Sequence, residues 1–283
     1  MNFVLIHIGN ALPNYIYDTI EQLRKVFDGN LYFVKSKSIQ MNDDFDITFV
    51  DYEDLLDYPK MQEFKNSNHL QGFWDVTCQR LFVLESMMSK YNLDSAFHIE
   101  NDNTVYINPE ELDVSKYVDS IAINPTGPAH SSAAFMYVDT LDALSFVNDK
   151  MLHLLQHKEI VQQRFSIDAV SEMNMLKLLQ DDYPDVVKCF PILTEGEYAT
   201  EDGIIFDCAT WGQLLGGIPN GHRITAKELQ HHWIGFEVYT CEEYEIIWEE
   251  SDGLRVPILI DKYGDRYRIN NLHIHCKRIR EFM

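Results

Sequence analysis

Along the first half of the chain, short continuous apolar runs alternate with stretches where apolar residues return every three or four positions. Phe3-Val-Leu-Ile-His-Ile8 is a run of the first kind, closed by Gly9-Asn10, and reads as a buried strand. After Pro13, residues Tyr15, Ile16, Ile20, Leu23, Val26 and Phe27 recur at helical spacing. Leu31-Tyr-Phe-Val34 and Ile47-Thr-Phe-Val50 read as the second and third strands. Asp75 is the expected N-cap of a helix running to about Tyr91, with Val76, Leu81, Leu84, Met88 and Tyr91 facing inward. Ser95-Ala-Phe-His-Ile99 is the next strand, and it runs straight into polar residues. This alternation predicts an α/β fold on a mostly parallel central sheet flanked by helices, with a ligand site at the strand C-termini.

The second half is less regular. Ser120-Ile-Ala-Ile123 and Ala133-Ala-Phe-Met-Tyr-Val138 look like strands, and helices are expected near 140–157 and 167–180. Residues 203–248 mix short strands with Gly-rich turns. Pro257-Ile-Leu-Ile260 and Tyr267-Arg-Ile269 flank Tyr263-Gly264-Asp265, which has hairpin chemistry. A smaller antiparallel part is therefore expected in the C-terminal half. With no internal repeat, low-complexity tract or linker, the chain reads as a single domain over 1–283.

Composition removes several classes of function. The chain has 283 residues, 46% of them hydrophobic and 12% aromatic, which is too apolar for disorder. Its formal charge of −22 repels a phosphate backbone, so no nucleic-acid partner is expected. No apolar run approaches the roughly 20 residues of a membrane span. The opening residues lack the basic start and cleavage site of a signal peptide. Five scattered cysteines, never in CxxC spacing, suit reduced thiols. A soluble, cytoplasmic protein is the expectation. Charge is unevenly placed: residues 42–57 and 237–252 each carry seven acids and no Lys or Arg, whereas 254–283 carry seven Lys/Arg against three acids.

Two segments carry chemistry. In Phe97-His-Ile-Glu-Asn-Asp-Asn-Thr-Val-Tyr106 an apolar strand turns into Glu100, Asn101, Asp102 and Asn103. Carboxylates at i and i+2 on a turning backbone converge on a hard cation such as Mn²⁺ or Mg²⁺. In Asn271-Leu-His-Ile-His-Cys-Lys277 the two-residue period of a strand puts Asn271, His273, His275 and Lys277 on one face and Leu272, Ile274 and Cys276 on the other. Imidazoles ligate Mn²⁺ and lysine places a point charge on phosphate, so this strand suits a metal with a diphosphate. No P-loop, GxGxxG or HExxH competes.

With these segments the chain resembles nucleotide-sugar-dependent glycosyltransferases of the GT-A fold, of the stand-alone kind found in bacteria and large algal DNA viruses. The resemblance runs through His7-Ile-Gly-Asn10, Phe73-Trp-Asp-Val-Thr-Cys-Gln-Arg80, His98-Ile-Glu-Asn-Asp102, Ser171-Glu-Met173, Phe206-Asp-Cys-Ala-Thr-Trp-Gly-Gln213 with Gly216-Gly217, and the closing Asn271–Lys277 segment. It implies a nucleotide-binding half to about residue 125. The rest would be an acceptor-binding half with a metal- and diphosphate-binding tail. Asp102 matches the metal-binding second acid of the family's DxD motif and Glu100 the first, here Glu in place of Asp. His273 or His275 matches the late metal-ligating histidine, and Lys277 a diphosphate contact. Gly9, Asn10, Arg80 and Asn101 fall where the donor nucleotide is bound. The resemblance implies a UDP-sugar donor, with UDP-xylose among the candidates. It implies a glycan hydroxyl acceptor, a viral capsid or surface glycan among them.

For the general base that an inverting transferase needs, Asp207 is the first choice, since it ends a short strand before a Gly-rich turn. Glu172 is the second; a retaining mechanism needs neither as base. Trp74, Trp211 and Trp233 are candidates to stack on sugar faces, Ser131 and Ser132 to line the acceptor side, and 212–221 to act as a hinge closing over the donor. Two other classes stay open. One is a metal-dependent nucleotidyltransferase or phosphohydrolase, although the loop Gly9-Asn-Ala-Leu-Pro13 lacks that class's basic, Gly-rich character. The other is a non-catalytic module that binds a nucleotide sugar.

Overall fold

The computed structural model describes residues 1–41, 45–67, 70, 72–194, 196–217, 225, 227–228, 235–237, 240–251 and 253–283. Their strands are β1 (Asn2–Ile6), β2 (Asn30–Lys35), β3 (Thr48–Asp51), β4 (Ala96–Ile99), β5 (Asn103–Val105), β6 (Ile121–Gly127), β7 (His130–Val138), β8 (Val187–Cys189), β9 (Ile204–Ile205), β10 (Glu245–Ser251), β11 (Leu254–Ile260), β12 (Arg266–Ile269) and β13 (Asn271–His273). The α-helices are α1 (Tyr15–Val26), α2 (Pro59–Lys65), α3 (Phe73–Tyr91), α4 (Leu141–Gln156), α5 (Lys158–Phe165), α6 (Glu172–Asp182) and α7 (Thr210–Gly216).

Seven strands form the central sheet in the order β3-β2-β1-β4-β7-β6-β8. The first four run parallel, β7 is antiparallel to β4 and β6, and β8 runs parallel to β6. Both faces are covered, which is why β1 reads as the continuous apolar run Phe3–Ile6 and does not alternate. In β1, Val4 and Ile6 join a core with α3, α4 and α6, whereas Phe3 and Leu5 join Ile16, Ile20 and Leu23 of α1 on the opposite face. That second core is aromatic: Phe3 stacks on Phe97 at 5.3 Å, and Phe190 on Phe206 at 4.2 Å. A four-stranded sheet, β10-β11-β12-β9, encloses a third core around Trp211, Leu259, Ile269 and Leu272. The expected α/β architecture and C-terminal antiparallel part are both present.

From β1 the chain steps outward to β2 and β3, then returns to the other side of β1 as β4. The sheet therefore has its topological switch point between β1 and β4, where open α/β sheets leave a crevice for ligands. The helix that bridges this return begins earlier than the sequence suggests. Its cap is Gly72, so Asp75 falls in the first turn. Val76 and Tyr91 are exposed and do not face inward. The helix expected over 167–180 is also redrawn. α5 ends at Ser166 in a left-handed conformation, and α6 starts at Glu172 because Ser171 and Asn174 form a capping box.

At the C-terminus the predicted strand 271–277 stops at His273. The chain then turns, with Lys277 in the left-handed region at φ 62°. Leu272 and Ile274 are still buried in the third core, so the alternation holds even though the strand does not continue.

Candidate functional site

The cluster of chemistry-bearing groups is assembled by one long-range pairing. β4 ends at Ile99, and Glu100–Asp102 form a tight turn closed by the Asn103 amide donating to the Glu100 carbonyl at 3.0 Å. Asn101 ties this turn to β1, its Nδ2 donating to the Ile6 carbonyl at 2.9 Å. β5 then pairs antiparallel with β13, with Asn103 opposite His273. That register sets the His273 imidazole beside both acids: Nε2 lies 3.0 Å from Glu100 Oε2 and 3.3 Å from Asp102 Oδ2.

These three side chains hold their ligand atoms within 4.8 Å of one another. The His273 Nδ1–H donates to the Cys208 carbonyl at 2.6 Å, which leaves Nε2 as the nitrogen facing the acids. With bonds of roughly 2.1 Å, neighbouring ligands of one ion lie about 3 Å apart, as Nε2 and Glu100 Oε2 do. Two carboxylates and an imidazole form a mixed oxygen–nitrogen set that suits Mn²⁺ better than Mg²⁺. The donor set fits such an ion. His275 is not part of it: its Nδ1 accepts from Gln213 Nε2 at 3.1 Å and its ring leans on His273.

Two cations flank the acids. Arg80 Nη2 donates to Glu100 Oε1 at 2.5 Å, and Lys277 Nζ pairs with Asp102. Burial acts to raise both carboxyls. For Glu100 it is overcome by Arg80 and His273, and for Asp102 by His273 and Lys277, so both stay well below the usual carboxylate range. Burial acts to lower His273, yet Asp102 and Glu100 hold it up at about 10. Burial and the His273 charge push His275 down to about 3. Of the seven basic residues in the tail, Lys277 is the one that lines the cavity described next; Arg266, Arg268 and Arg280 pair with Glu249, Glu111 and Asp18 at the surface.

The cluster forms the floor of a cavity of about 530 Å³ at the C-terminal ends of β1 and β4, within the size range of small-molecule sites. Its walls come from Ile6 at the end of β1, His7 and Ile8 after it, Tyr15 of α1, the start of α3, and Glu172 and Met173 at the start of α6. Glu172 is buried against it, its Oε2 3.1 Å from Thr77 Oγ1. Burial pushes Glu172 up to about 7, against the lowering charge of Arg80 and with a further rise from Glu100.

The other sequence candidates divide sharply. Arg80, Asn101, Ser132 and Trp74 line the cavity. Gly9 and Asn10 are exposed and do not, the preceding His7 and Ile8 taking that place. Asp207 is fully buried behind the cavity wall. Its Oδ1 accepts from the Trp211 amide at 3.0 Å, and its Oδ2 from the amides of Gly212 at 2.8 Å and His273 at 3.0 Å. Burial raises its pKa, and those amides counter the rise. It fastens α7 to β13 and so positions His273. Trp211 is also enclosed, its indole N–H donating to Glu237 at 3.0 Å, so it offers no face to a sugar. Ser131 is buried on Gln180, and Trp233 lies outside the described residues.

The segment expected to hinge is α7 over 210–216; its continuation over 218–221 lies outside the described residues. The glycines of this helix serve close packing. A Cβ built on Gly212 would overlap the His273 carbonyl, and one on Gly216 would come 2.9 Å from Cys276 Sγ. Gly212→Ala is therefore expected to push α7 off β13 and lower the thermal midpoint by several degrees, consistent with roughly 1–3 kcal/mol for overpacking. Thermal unfolding of the variant checks this; an unchanged midpoint contradicts it.

No protein-family model matches the sequence, and no curated protein sequence matches it. Solved structures do. Mouse xyloside xylosyltransferase 1, in its apo form, superposes with a TM-score of 0.51 at 10% identity, over 75% of this chain and 90% of that one. The PaToxG glycosyltransferase superposes with a TM-score of 0.42 at 13% identity, over 65% of this chain and 69% of that one. The chain has the fold of the mouse enzyme. No helix among the described residues is long and apolar enough to cross a membrane.

Thr77 also lines the cavity, a position the sequence does not single out. Its one available signal was its place on the same helical face as Arg80, three residues away.

Proposed function

We propose that the chain is a metal-dependent glycosyltransferase of the GT-A kind, a single catalytic domain that moves a sugar from a nucleoside diphosphate to a hydroxyl of a glycan acceptor. The observation that carries this reading is the Glu100–Asp102–His273 cluster at the switch point, flanked by Arg80 and Lys277. UDP is the first nucleotide to try, and, given the name of the mouse neighbour, xylose the first sugar.

In this reading Glu100, Asp102 and His273 hold a Mn²⁺, which when bound stabilises the negative charge that grows on the leaving diphosphate. Lys277 adds an ammonium on the same side, over the Tyr15 ring. Arg80 keeps Glu100 ionised and oriented, and Asp207 holds His273 in place through its backbone. Glu172 takes the acceptor hydroxyl proton. Its elevated pKa suits that work near neutrality. The apolar walls of Ile6, Ile8 and Met173 exclude water that would hydrolyse the donor.

The two histidines separate under test. His273→Ala is expected to weaken Mn²⁺ binding, followed by electron paramagnetic resonance, by more than tenfold. His275→Ala is expected to change it less than threefold, because its ring meets Gln213 and His273 and is no member of the cluster. Equal, mild losses in both variants would count against the assigned ligand set.

A further inference from the structure

We propose that Phe73 and Trp74 form the platform on which the acceptor sugar stacks; this rests on the glycosyltransferase reading and assigns its acceptor side. One helical face of α3 is graded with depth. Phe73, Trp74, Val76, Thr77 and Arg80 all line the same cavity. Exposure falls from 68% at Phe73 and 37% at Trp74 to 4% at Thr77. Each step of three residues advances roughly 4.5 Å along the helix. The face therefore runs from an aromatic lip, through a hydroxyl, to the guanidinium that pairs with Glu100 at the floor.

Glu172 meets this face part-way down. Thr77 Oγ1 lies 3.0 Å from the Trp74 carbonyl and 3.1 Å from Glu172 Oε2. The proposed proton acceptor thus stands between the aromatic lip and the metal cluster. A hydroxyl presented to Glu172 belongs to a molecule reaching in from the lip, and the donor diphosphate belongs on the far side with Arg80 and Lys277. Phe73, Trp74 and Val76 are large apolar side chains left exposed within four residues of each other, a clustering that marks a binding surface. Phe73 and Trp74 cross at 68° with ring centroids 5.2 Å apart, so one offers a face where the other offers an edge. Flat aromatic faces receive the C–H face of a pyranose through dispersion and the ring quadrupole. Among the described residues, the Lys and Arg that line the cavity are Arg80 and Lys277, both paired with the acids at its floor, which favours a neutral occupant at the lip over a phosphate-bearing one.

The test uses the full chain with UDP and Mn²⁺ and, as probes, the methyl glycosides of xylose, glucose, galactose and rhamnose. Saturation-transfer NMR is expected to show ring C–H contacts from at least one glycoside. Trp74→Ala should cut that signal at least fivefold and Trp74→Phe should largely keep it. The thermal stabilisation by UDP with Mn²⁺ should be the same in wild type and both variants, which also shows that they fold. Loss of the UDP effect in Trp74→Ala would overturn the proposal and make the ring a nucleobase platform. So would a glycoside signal that ignores the substitution, or none from wild type that holds UDP and Mn²⁺. Wild type that binds no nucleotide would instead remove the glycosyltransferase reading itself.

Discussion

Asp102→Ala is expected to abolish both Mn²⁺-dependent nucleotide binding and sugar transfer. Asp102 touches two partners at once, His273 Nε2 at 3.3 Å and the Lys277 ammonium. Removing it takes a ligand from the metal and leaves the Lys277 ammonium without its counter-charge. Charge stabilisation by such an ion is worth several kcal/mol, and each 1.36 kcal/mol is tenfold in rate. A loss of about a thousandfold in transfer follows. Asp102→Asn keeps the shape while removing the charge, and should lose nearly as much if the metal is the cause. Transfer assays with calorimetric Mn²⁺ titrations check the pair. Full Mn²⁺ affinity in either variant would contradict the assignment.

The second large effect is expected at Glu172. As the general base it should contribute roughly 10²–10⁴ in rate, so Glu172→Gln should lower kcat by that range while nucleotide affinity stays within threefold. The pH profile gives an independent readout. A base works unprotonated, and burial pushes Glu172 up to about 7. Wild-type activity should therefore rise with pH through a limb near 7 and level off above it, and the glutamine variant should lose that limb. Asp207→Asn should behave differently. An amide nitrogen in place of Oδ2 cannot accept from Gly212 and His273, so stability and metal binding should fall together. A retained limb in Glu172→Gln, or a kcat-only loss in Asp207→Asn, would return the base role to Asp207.

The central sheet was legible because its strands are buried on both faces and so appear as largely apolar runs, unbroken over Phe3–Ile6 in β1 and interrupted only by His98 in β4. The acid corner was legible for the same reason: a strand that runs into Glu100 and Asp102 has to end where the sheet ends. The choice between His273 and His275 was not legible. It depends on the register of β5 with β13, a contact between distant parts of the chain, and on the turn that removes His275 from the strand.

Asp207 is a related case. An acid after a short strand and before glycines looks like a site residue, but its surroundings are decided by how closely α7 and β13 approach. Gly212 permits that approach, and the carboxylate is used up on backbone amides there. α5 was missed because the apolar periodicity of Lys158–Phe165 is weak, with Val161 its one buried residue. Glu172 reads in the sequence as a solvated helical acid, whereas the capping box at Ser171 starts α6 with this residue buried and lining the cavity.

The measurement that tests the central claim most directly is thermal unfolding with UDP, GDP and CMP, each with and without Mn²⁺. A ligand at a hundredfold excess over its Kd stabilises the fold by roughly 2.7 kcal/mol, which is several degrees for a chain of this size. The proposed site predicts a shift with one nucleoside diphosphate, UDP first, that requires Mn²⁺ and disappears in Asp102→Ala. No shift with any nucleotide, or one indifferent to both Mn²⁺ and Asp102, would contradict it.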